Sequence, residues 1–401
     1  MVRSAGLLFG ASAVRNLGPL VLVVFLARVF DQETVGHYTL ALAVATPIFA
    51  LAQMGLRTVY VTLRPNAPIR DYVVVQGLAV AVAFAVLAVI AGVAGAIGLT
   101  LLVVGVSRVA DTFTEMLTGP LQLAGRIGRI FAAAVAIAGL SVAVTVVVML
   151  TTHNLDWSLT GMAGAAVAAT FVFMYLPVRA VGVSTGLWSQ GSATRRTVLA
   201  AGLPTGVAVA VLSLVSTMPQ YFLTPWHGSA AAAHAQVLFY LYFAADLATL
   251  GVVQAWIPHA RRRLADGALA PALVRTALRW TLVYVLVAVV GLALAAWLLP
   301  VVFGAGYTLG LAQAVPLGLA IGLLPFASFS MVSVSVLNRY THNLTLGASS
   351  TLAALVLYAV LIGPFAVTGA AWGLVGAVAT RAVVGLLIVV TDRGRNAAAP
   401  A

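Results

Sequence analysis

Apolar residues run along this chain in twelve long stretches, each about as long as a membrane-spanning helix. A bilayer core of about 30 Å needs roughly 20 apolar residues in a helix that rises 1.5 Å per residue. Charged, turn-forming, Gly and Pro residues separate the stretches, and the pattern predicts one helix for each. The predicted spans lie at approximately residues 6–29, 38–63, 72–92, 96–118, 130–150, 158–179, 197–223, 234–258, 273–298, 309–333, 344–363 and 368–391.

One connection between the predicted spans is longer and more polar than the others. It covers residues 181–196, is rich in Gly and Ser, and lies between the sixth and seventh spans. We therefore predict an all-α integral membrane protein with an N-terminal six-helix bundle at residues 1–180 and a C-terminal six-helix bundle at 197–401. A short cytoplasmic tail ends the second bundle.

Composition excludes a soluble protein of this length. Of the 401 residues, 62% are hydrophobic and only 7% are charged, against roughly 25% charged in an average globular domain. Twelve spans with short connections leave no room for a large extramembrane domain. The chain has no Cys, which rules out disulfides, thiolate metal sites and a cysteine nucleophile.

The net charge of +12 comes from arginine, because the chain has 21 Arg and no Lys. Sixteen of these arginines lie in alternate loops, and the opposite loops hold none. By the positive-inside rule, the arginine-bearing loops and both termini are cytoplasmic, and no nucleic-acid partner is expected. The loop arginines are Arg3, Arg64, Arg70, Arg126, Arg129, Arg179, Arg195, Arg196, Arg261, Arg262, Arg263, Arg275, Arg279, Arg339, Arg393 and Arg395.

A few charged residues lie inside the predicted spans, and function is to be sought among them. A charge at the centre of a spanning helix costs about 2.5–3.5 kcal/mol even on insertion scales. Such residues therefore pair with each other, face a water-filled cavity or bind a ligand. They are Arg15, Arg57, Arg108, Asp111, Glu115, Asp246 and Arg381.

Three of these charges share the fourth predicted span. Arg108, Asp111 and Glu115 are spaced i, i+3 and i+7, which places them along one stripe of a helix. They form either an ion-pair ladder or a group that gates or couples transport. Arg15 and Arg57 have no acidic residue within one helical turn, so they either pair with Asp111 or Glu115 or bind an anionic ligand.

Four arginines at depth against three carboxylates leave a surplus of positive charge. The planar guanidinium binds phosphate oxygens two at a time, so Arg15, Arg57 and Arg381 are the candidates for binding a phosphate-bearing substrate. Asp246 has no cation on its own helix. It is either a neutral buried acid or a site for a coupling H⁺ or Na⁺.

Signatures of soluble-type catalysis are absent from the sequence. No HExxH, P-loop, nucleophile elbow or dinucleotide fingerprint occurs. His227 and His234 lie in an outer connection, where they are expected to be solvated. We therefore expect no catalytic residue, no metal site and no cofactor beyond a coupling H⁺ or Na⁺, in a protein that is not an enzyme.

Four short segments resemble the polysaccharide or O-antigen flippase family of the multidrug/oligosaccharidyl-lipid/polysaccharide exporter superfamily. The opening hairpin FLARVFDQETVGHYTLALAVATPIFALAQMGLRTVYVT at 25–62 carries most of the resemblance. DTFTEMLTGPLQ at 111–122 contains a Gly-x-x-Gln pattern, and GLPTG at 202–206 and GAAWG at 369–373 open two later spans. The resemblance covers essentially the whole chain.

This resemblance implies two six-helix bundles in a V around a cationic cavity. Such flippases work by alternating access and carry an undecaprenyl-diphosphate-linked oligosaccharide across the bacterial cytoplasmic membrane, for O-antigen, lipopolysaccharide and other surface polysaccharides. Arg15 and Arg57 match positions of their cavity arginines. Implied partners are the lipid-linked oligosaccharide, membrane lipid and polysaccharide assembly proteins. The chain departs from the family in its short length and in its few charged residues in the second half.

Membrane proteins of two other functional classes have comparable hydropathy. A multidrug or small-solute antiporter of the same superfamily would favour a carboxylate-lined cavity, and the arginine surplus argues against it. A membrane polysaccharide polymerase or glycosyltransferase would need a sizeable outer loop for its catalytic groups, and the outer loops here are short.

Overall fold

The computed structural model describes residues 2–63, 67–189, 191, 193–337 and 340–391. Part of the loop-arginine prediction therefore cannot be placed in the fold. Outside the described residues lie Arg64, Arg339, Arg393 and Arg395, together with the side chains of Arg3 and Arg261.

Helices make up nearly all of the described chain. The first half contains α1 (Val2–Val29), α2 (Gln32–Gln53), α3 (Leu56–Thr62), α4 (Ile69–Val93), α5 (Gly98–Leu123), α6 (Ile127–Thr152), α7 (Leu155–Thr170) and α8 (Leu176–Ser184). A 3-10 turn at Gly95–Ile97 separates α4 from α5, and one π-helical turn at Phe171–Tyr175 joins α7 to α8. The second half contains α9 (Arg195–Ala265), α10 (Leu269–Phe303), α11 (Leu311–Val336) and α12 (Tyr340–Thr391).

Within the described ranges, nine helices are long and apolar enough to cross a membrane. Two of the nine contain a residue with non-helical dihedral angles, Gly228 in α9 and Ala366 in α12. These breaks fall between the seventh and eighth and between the eleventh and twelfth predicted spans. The helix α5 is not among the nine, and it carries Arg108, Asp111 and Glu115. The expected all-helical membrane fold is confirmed.

The helices bury one face and expose apolar side chains on the other. In α4, Tyr72, Gln76 and Ala83 are buried, whereas Leu78 and Val82 are exposed. In a soluble protein, exposed apolar faces of this length would cause aggregation, but in a bilayer they contact lipid. The burial pattern therefore agrees with a multi-pass membrane protein.

Close contacts divide the chain into two compact units, Met1–Ser213 and Leu214–Ala401. The first unit has a core in which Tyr60 and Tyr72 meet edge to face, with ring centroids 5.0 Å apart. In the core of the second unit, the rings of Trp256 and Phe329 meet edge to face at 5.6 Å.

The segment 181–196, which we predict to link two bundles, lies within the first unit and is attached to the start of α4. The Ile69 amide donates to Leu187 O at 3.0 Å, and Arg195 Nε lies 2.8 Å from Asp71 Oδ1. The first unit extends to Ser213 because the beginning of α9 packs on the end of α2. The partition into two six-helix bundles stays a prediction.

A sharp break between α2 and α3 turns the chain just before Arg57. Met54 and Gly55 both have left-handed backbone angles, with φ of 48° and 56°. For a residue such as Met this conformation costs roughly 1–2 kcal/mol, so neighbouring groups must stabilise the break. One of them is Gln76 in α4, whose buried amide donates to Ala52 O at 2.8 Å.

Candidate functional site

The glycines of the GLPTG segment let α9 approach this break closely. A Cβ on Gly206 would lie 2.6 Å from Leu51 O and 3.0 Å from Met54 Cα, and a Cβ on Gly202 would lie 3.0 Å from Met54 O. Only glycine admits backbone contacts this close. The segment thus fixes the position at which α3 begins and from which Arg57 projects.

The carboxylate of Glu115, in α5, accepts hydrogen bonds from both Arg15 and Arg57. Its Oε2 accepts a hydrogen bond from Arg15 Nη1, and its Oε1 lies 3.2 Å from Arg57 Nη1. Arg15 comes from α1 and Arg57 from α3, so three elements meet at this carboxylate. The three side chains are 32%, 24% and 24% exposed, in the order Arg15, Arg57 and Glu115. None of them is sealed in the core: Arg15 and Glu115 line one cavity, and Arg57 lines a smaller cavity together with Arg15.

Gln122 holds the opposite edge of the Arg57 guanidinium. Its Oε1 accepts from Arg57 Nε at 3.3 Å and from Nη2 at 3.1 Å. Gly119, one turn earlier on α5, has no Cβ, and one there would lie 3.2 Å from Arg57 O. The Gly-x-x-Gln pattern of the sequence therefore has a physical meaning: Gly119 admits the α3 backbone and Gln122 orients its arginine. Residue types and spacing alone did not reveal Gln122 as a member of the site.

Arg108 and Asp111 form a pair of their own, with Arg108 Nη1 at 3.1 Å from Asp111 Oδ2. The ion-pair ladder considered from the spacing stops there, because Glu115 bonds to α1 and α3 instead. Residues i and i+7 are about 10 Å apart along a helix, which is farther than Arg15 and Arg57 are from Glu115. Asp111 is 41% exposed, and the buried Arg108 Nε has no hydrogen-bond partner among the described residues.

A cavity of about 400 Å³ opens in the first unit beside these charges. Arg15 and Glu115 line one end, and Arg108 and Asp111 line a region about one to two turns away along α5. The remaining lining side chains are uncharged. They are Gly18, Pro19, Leu22, Tyr38, Leu42, Gln53, Ser107, Thr114, Ala134, Ile137, Ala138, Ser141, Val142, Thr145, Met162 and Ala166.

The charge of this site is positive. Arg15, Arg57 and Arg108 face Asp111 and Glu115, so one cation is in excess. A second cavity of about 20 Å³ lies between Arg15 and Arg57, which is room for about one water molecule. The arrangement suits an anion with several oxygens, since each guanidinium presents a planar fork of N–H donors.

Two further predicted site residues, Asp246 and Arg381, lie in the second unit and are not in direct contact. Arg381 of α12 donates from Nη2 to Tyr242 OH at 3.5 Å, and its buried Nε has no partner within the described part of the chain. Arg381 and Asp246 of α9 attract each other electrostatically, but no contact within 4 Å joins them in the described residues. Asp246 therefore has a cation nearby on another helix, whereas the arginines of α9 lie at the ends of that helix, more than ten residues away.

Within the described ranges, no group of three or more His, Asp or Glu side chains could hold a metal ion. His227 and His234 each bond to a backbone carbonyl, Ile362 O at 2.8 Å and Thr308 O at 2.7 Å.

Comparison with known proteins finds the fold but no close relative. No protein-family model matches the chain, and no curated protein matches it. Several solved structures share the fold at low identity. The lipid II flippase MurJ, in an inward closed conformation, has a TM-score of 0.74 at 12% identity over 97% of this chain and 89% of that chain. An inward-facing MATE family multidrug transporter has a TM-score of 0.70 at 15% identity over 96% of each chain.

A transporter of the MOP superfamily from Pyrococcus furiosus is also similar, with a TM-score of 0.63 at 14% identity over 99% of this chain and 95% of that chain. All three neighbours are transporters or flippases, and the second and third are described as members of the MOP superfamily. The likeness shows a shared fold, and it does not single out the O-antigen flippases. The chain is a multi-pass membrane protein with the fold of the MOP-superfamily transporters.

Proposed function

We propose that this protein is an alternating-access flippase for an undecaprenyl-diphosphate-linked oligosaccharide. The observation that carries the proposal is the convergence of Arg15 and Arg57, from two different elements, on Glu115, which lines the larger cavity together with Arg15. In a poorly hydrated site, hydrogen bonds to charged groups are worth about 1.5–3 kcal/mol each. Two guanidiniums side by side are well suited to the two phosphates of such a lipid.

The cavity volume is consistent with this assignment. At about 400 Å³ it is within the usual range of ligand pockets, roughly 300–1,000 Å³. It is large enough for the diphosphate and the nearest sugar rather than for a whole oligosaccharide. Arg381 is a further candidate for the same substrate in the second unit.

We also propose twelve spans with both termini cytoplasmic, in the bacterial cytoplasmic membrane. This count treats α9 and α12 as two spans each, divided at Gly228 and Ala366, and includes the charged helix α5. The alternation of arginine-bearing loops then places every such loop on one side. Partners of the protein would be the lipid-linked oligosaccharide, membrane lipid and polysaccharide assembly proteins.

Flipping of a fluorescent lipid-linked oligosaccharide in proteoliposomes tests the proposal. Arg15→Ala combined with Arg57→Ala should abolish flipping, because the phosphates lose both guanidiniums. Arg129→Ala, an exposed arginine at the start of α6, is the matched control and should flip at the wild-type rate. Wild-type rates in the folded double variant would refute the proposed function.

A multidrug or small-solute antiporter is the second candidate. It is favoured by Asp111, a carboxylate that is 41% exposed and lines the cavity, as a site for organic cations would require. An antiporter would export an organic cation. Asp111→Asn should abolish this export, and the Arg15 and Arg57 substitutions should not change it.

A further inference from the structure

Glu115 occupies the place that a phosphate would take between the two arginines. Each of its carboxylate oxygens accepts from a different guanidinium, Oε2 from Arg15 and Oε1 from Arg57. Phosphate oxygens bind arginine in the same manner. The site therefore holds an internal anion, and a substrate phosphate must displace it to reach the same N–H donors.

The local charges show what this displacement requires. Arg15, Arg57 and Glu115 together carry one positive charge. A phosphate monoester titrates near pH 6, but each phosphate of a diphosphate diester lacks that second proton and keeps a single negative charge. If such a diphosphate binds while Glu115 stays ionised, the group has a negative excess and a carboxylate without partners in a membrane cavity. If Glu115 takes up a proton, the group is neutral.

We propose that Glu115 exchanges its two arginines for a proton whenever the diphosphate binds, so that one proton is taken up with each substrate molecule. The hydrogen bonds from Arg15 Nη1 and Arg57 Nη1 to the carboxylate break, and phosphate oxygens accept them instead. A proton from the bulk solution, which the buffer acid supplies as it becomes its conjugate base, then binds one Glu115 oxygen. This inference rests on the proposed function and names the coupling ion and the residue that carries it.

The surroundings of Glu115 favour a proton over Na⁺. Hard metal cations need several oxygen ligands, whereas the groups that contact Glu115 from α1 and α3 are the cationic Arg15 and Arg57. On α5, the nearest carboxylate is Asp111, one turn away and paired with Arg108. In α2, the titratable residue that lines the cavity is Tyr38. The lining residues of α6 and α7 have no titratable group.

Calorimetry on the full-length protein in phosphatidylcholine nanodiscs tests the exchange. The probe is undecaprenyl diphosphate carrying one N-acetylglucosamine, a diphosphate diester that does not titrate near neutral pH. Titrations in two buffers of different ionisation enthalpy count the protons bound. We expect the wild type to take up one proton per lipid and Glu115→Gln to take up none. Glu33→Gln is the matched control, because Glu33 is exposed and is the only other glutamate in the chain.

The affinity gives a second readout. If binding takes up a proton, the Kd of the wild type rises by up to tenfold for each unit by which the pH is raised. The Kd of Glu115→Gln should not change with pH. If Glu115→Gln does not fold, the number of protons taken up by the wild type and the pH dependence of its Kd still test the exchange. Binding that depends on Arg57 but takes up no proton would overturn the exchange and leave the proposed function standing. A wild-type protein that does not bind the lipid would overturn both.

Discussion

Gln122 orients Arg57 through two hydrogen bonds to one edge of the guanidinium, at 3.3 Å and 3.1 Å. The remaining Nη1 is thereby directed at Glu115. Because Gln122 acts through Arg57 and does not itself reach the carboxylate, it is a positioning residue. Its contribution depends on geometry rather than on charge.

Replacing Gln122 by Leu should therefore weaken diphosphate binding without removing any charge from the site. A hydrogen bond is worth about 0.5–1.5 kcal/mol net, so we expect an affinity loss of roughly tenfold, or about 1.4 kcal/mol. Lipid binding to the purified variant measures this, and Gln122→Asn, which keeps an acceptor on a shorter side chain, should fall between. An unchanged affinity in Gln122→Leu would show that Arg57 is oriented by other contacts.

The contact of α9 with the α2–α3 break predicts a stability difference between two glycines. Gly206→Ala places a methyl group 2.6 Å from Leu51 O, and overpacking of this kind costs about 1–3 kcal/mol. Gly77→Ala in α4 meets no atom within 4 Å and should be neutral or stabilising by about 0.5–1 kcal/mol. Thermal unfolding in detergent compares the two. Equal melting temperatures would mean that the break tolerates a wider helix separation.

Asp246 and Arg381 should behave as a coupled pair. Removing either one takes away the electrostatic attraction that the other feels, and removing both should cost less than the sum. A double-mutant cycle with Asp246→Asn and Arg381→Gln should give a coupling energy of about 0.5–3 kcal/mol in unfolding free energy. Strict additivity would show that the two charges are solvated independently.

Membrane topology is tested near the end of α9, at Arg261–Arg263. The cytoplasmic assignment of Arg261–Arg263 rests on the loop arginines. A reporter that works only in the cytoplasm should be active when it is fused there. A reporter that works only outside the cytoplasm should be active when it is fused at His227. A fusion at Arg261–Arg263 that is active in the periplasm would invalidate the orientation.

Much of the fold could be predicted because hydrophobic stretches and helix-breaking residues are local features of a sequence. The expected boundary between the third and fourth spans, for example, falls where the 3-10 turn at Gly95–Ile97 separates α4 and α5. The break at Met54 and Gly55 was not predicted, since Met rarely adopts left-handed angles and contacts from Gln76 and Gly206 stabilise the break. Those contacts join segments far apart in the chain.

In the site, too, the features that depend on local sequence could be predicted, and those that depend on contacts between distant segments could not. The depth of Arg15, Arg57 and Glu115 follows from their places in apolar stretches. The sequence allows Arg15 or Arg57 to pair with Asp111 or Glu115, but it does not predict that both arginines bind Glu115. Helical spacing alone grouped Glu115 with Arg108 and Asp111, because spacing describes one helix at a time. Which helices approach each other depends on tertiary packing, as with Gln122 and Arg57 or Asp246 and Arg381.

In the proposed function, Arg57 binds the substrate diphosphate through its planar fork of N–H donors. The most direct measurement is the affinity of undecaprenyl-diphosphate-linked N-acetylglucosamine for purified wild type, Arg57→Ala, Arg57→Lys and the exposed control Arg129→Lys. Loss of a charge-assisted hydrogen bond of about 1.5–3 kcal/mol predicts a fall of roughly 10- to 150-fold for Arg57→Ala. Arg57→Lys should fall nearly as far, because an ammonium cannot bind two oxygens in parallel, and Arg129→Lys should match the wild type. Wild-type affinity in the folded Arg57→Ala protein would contradict the account.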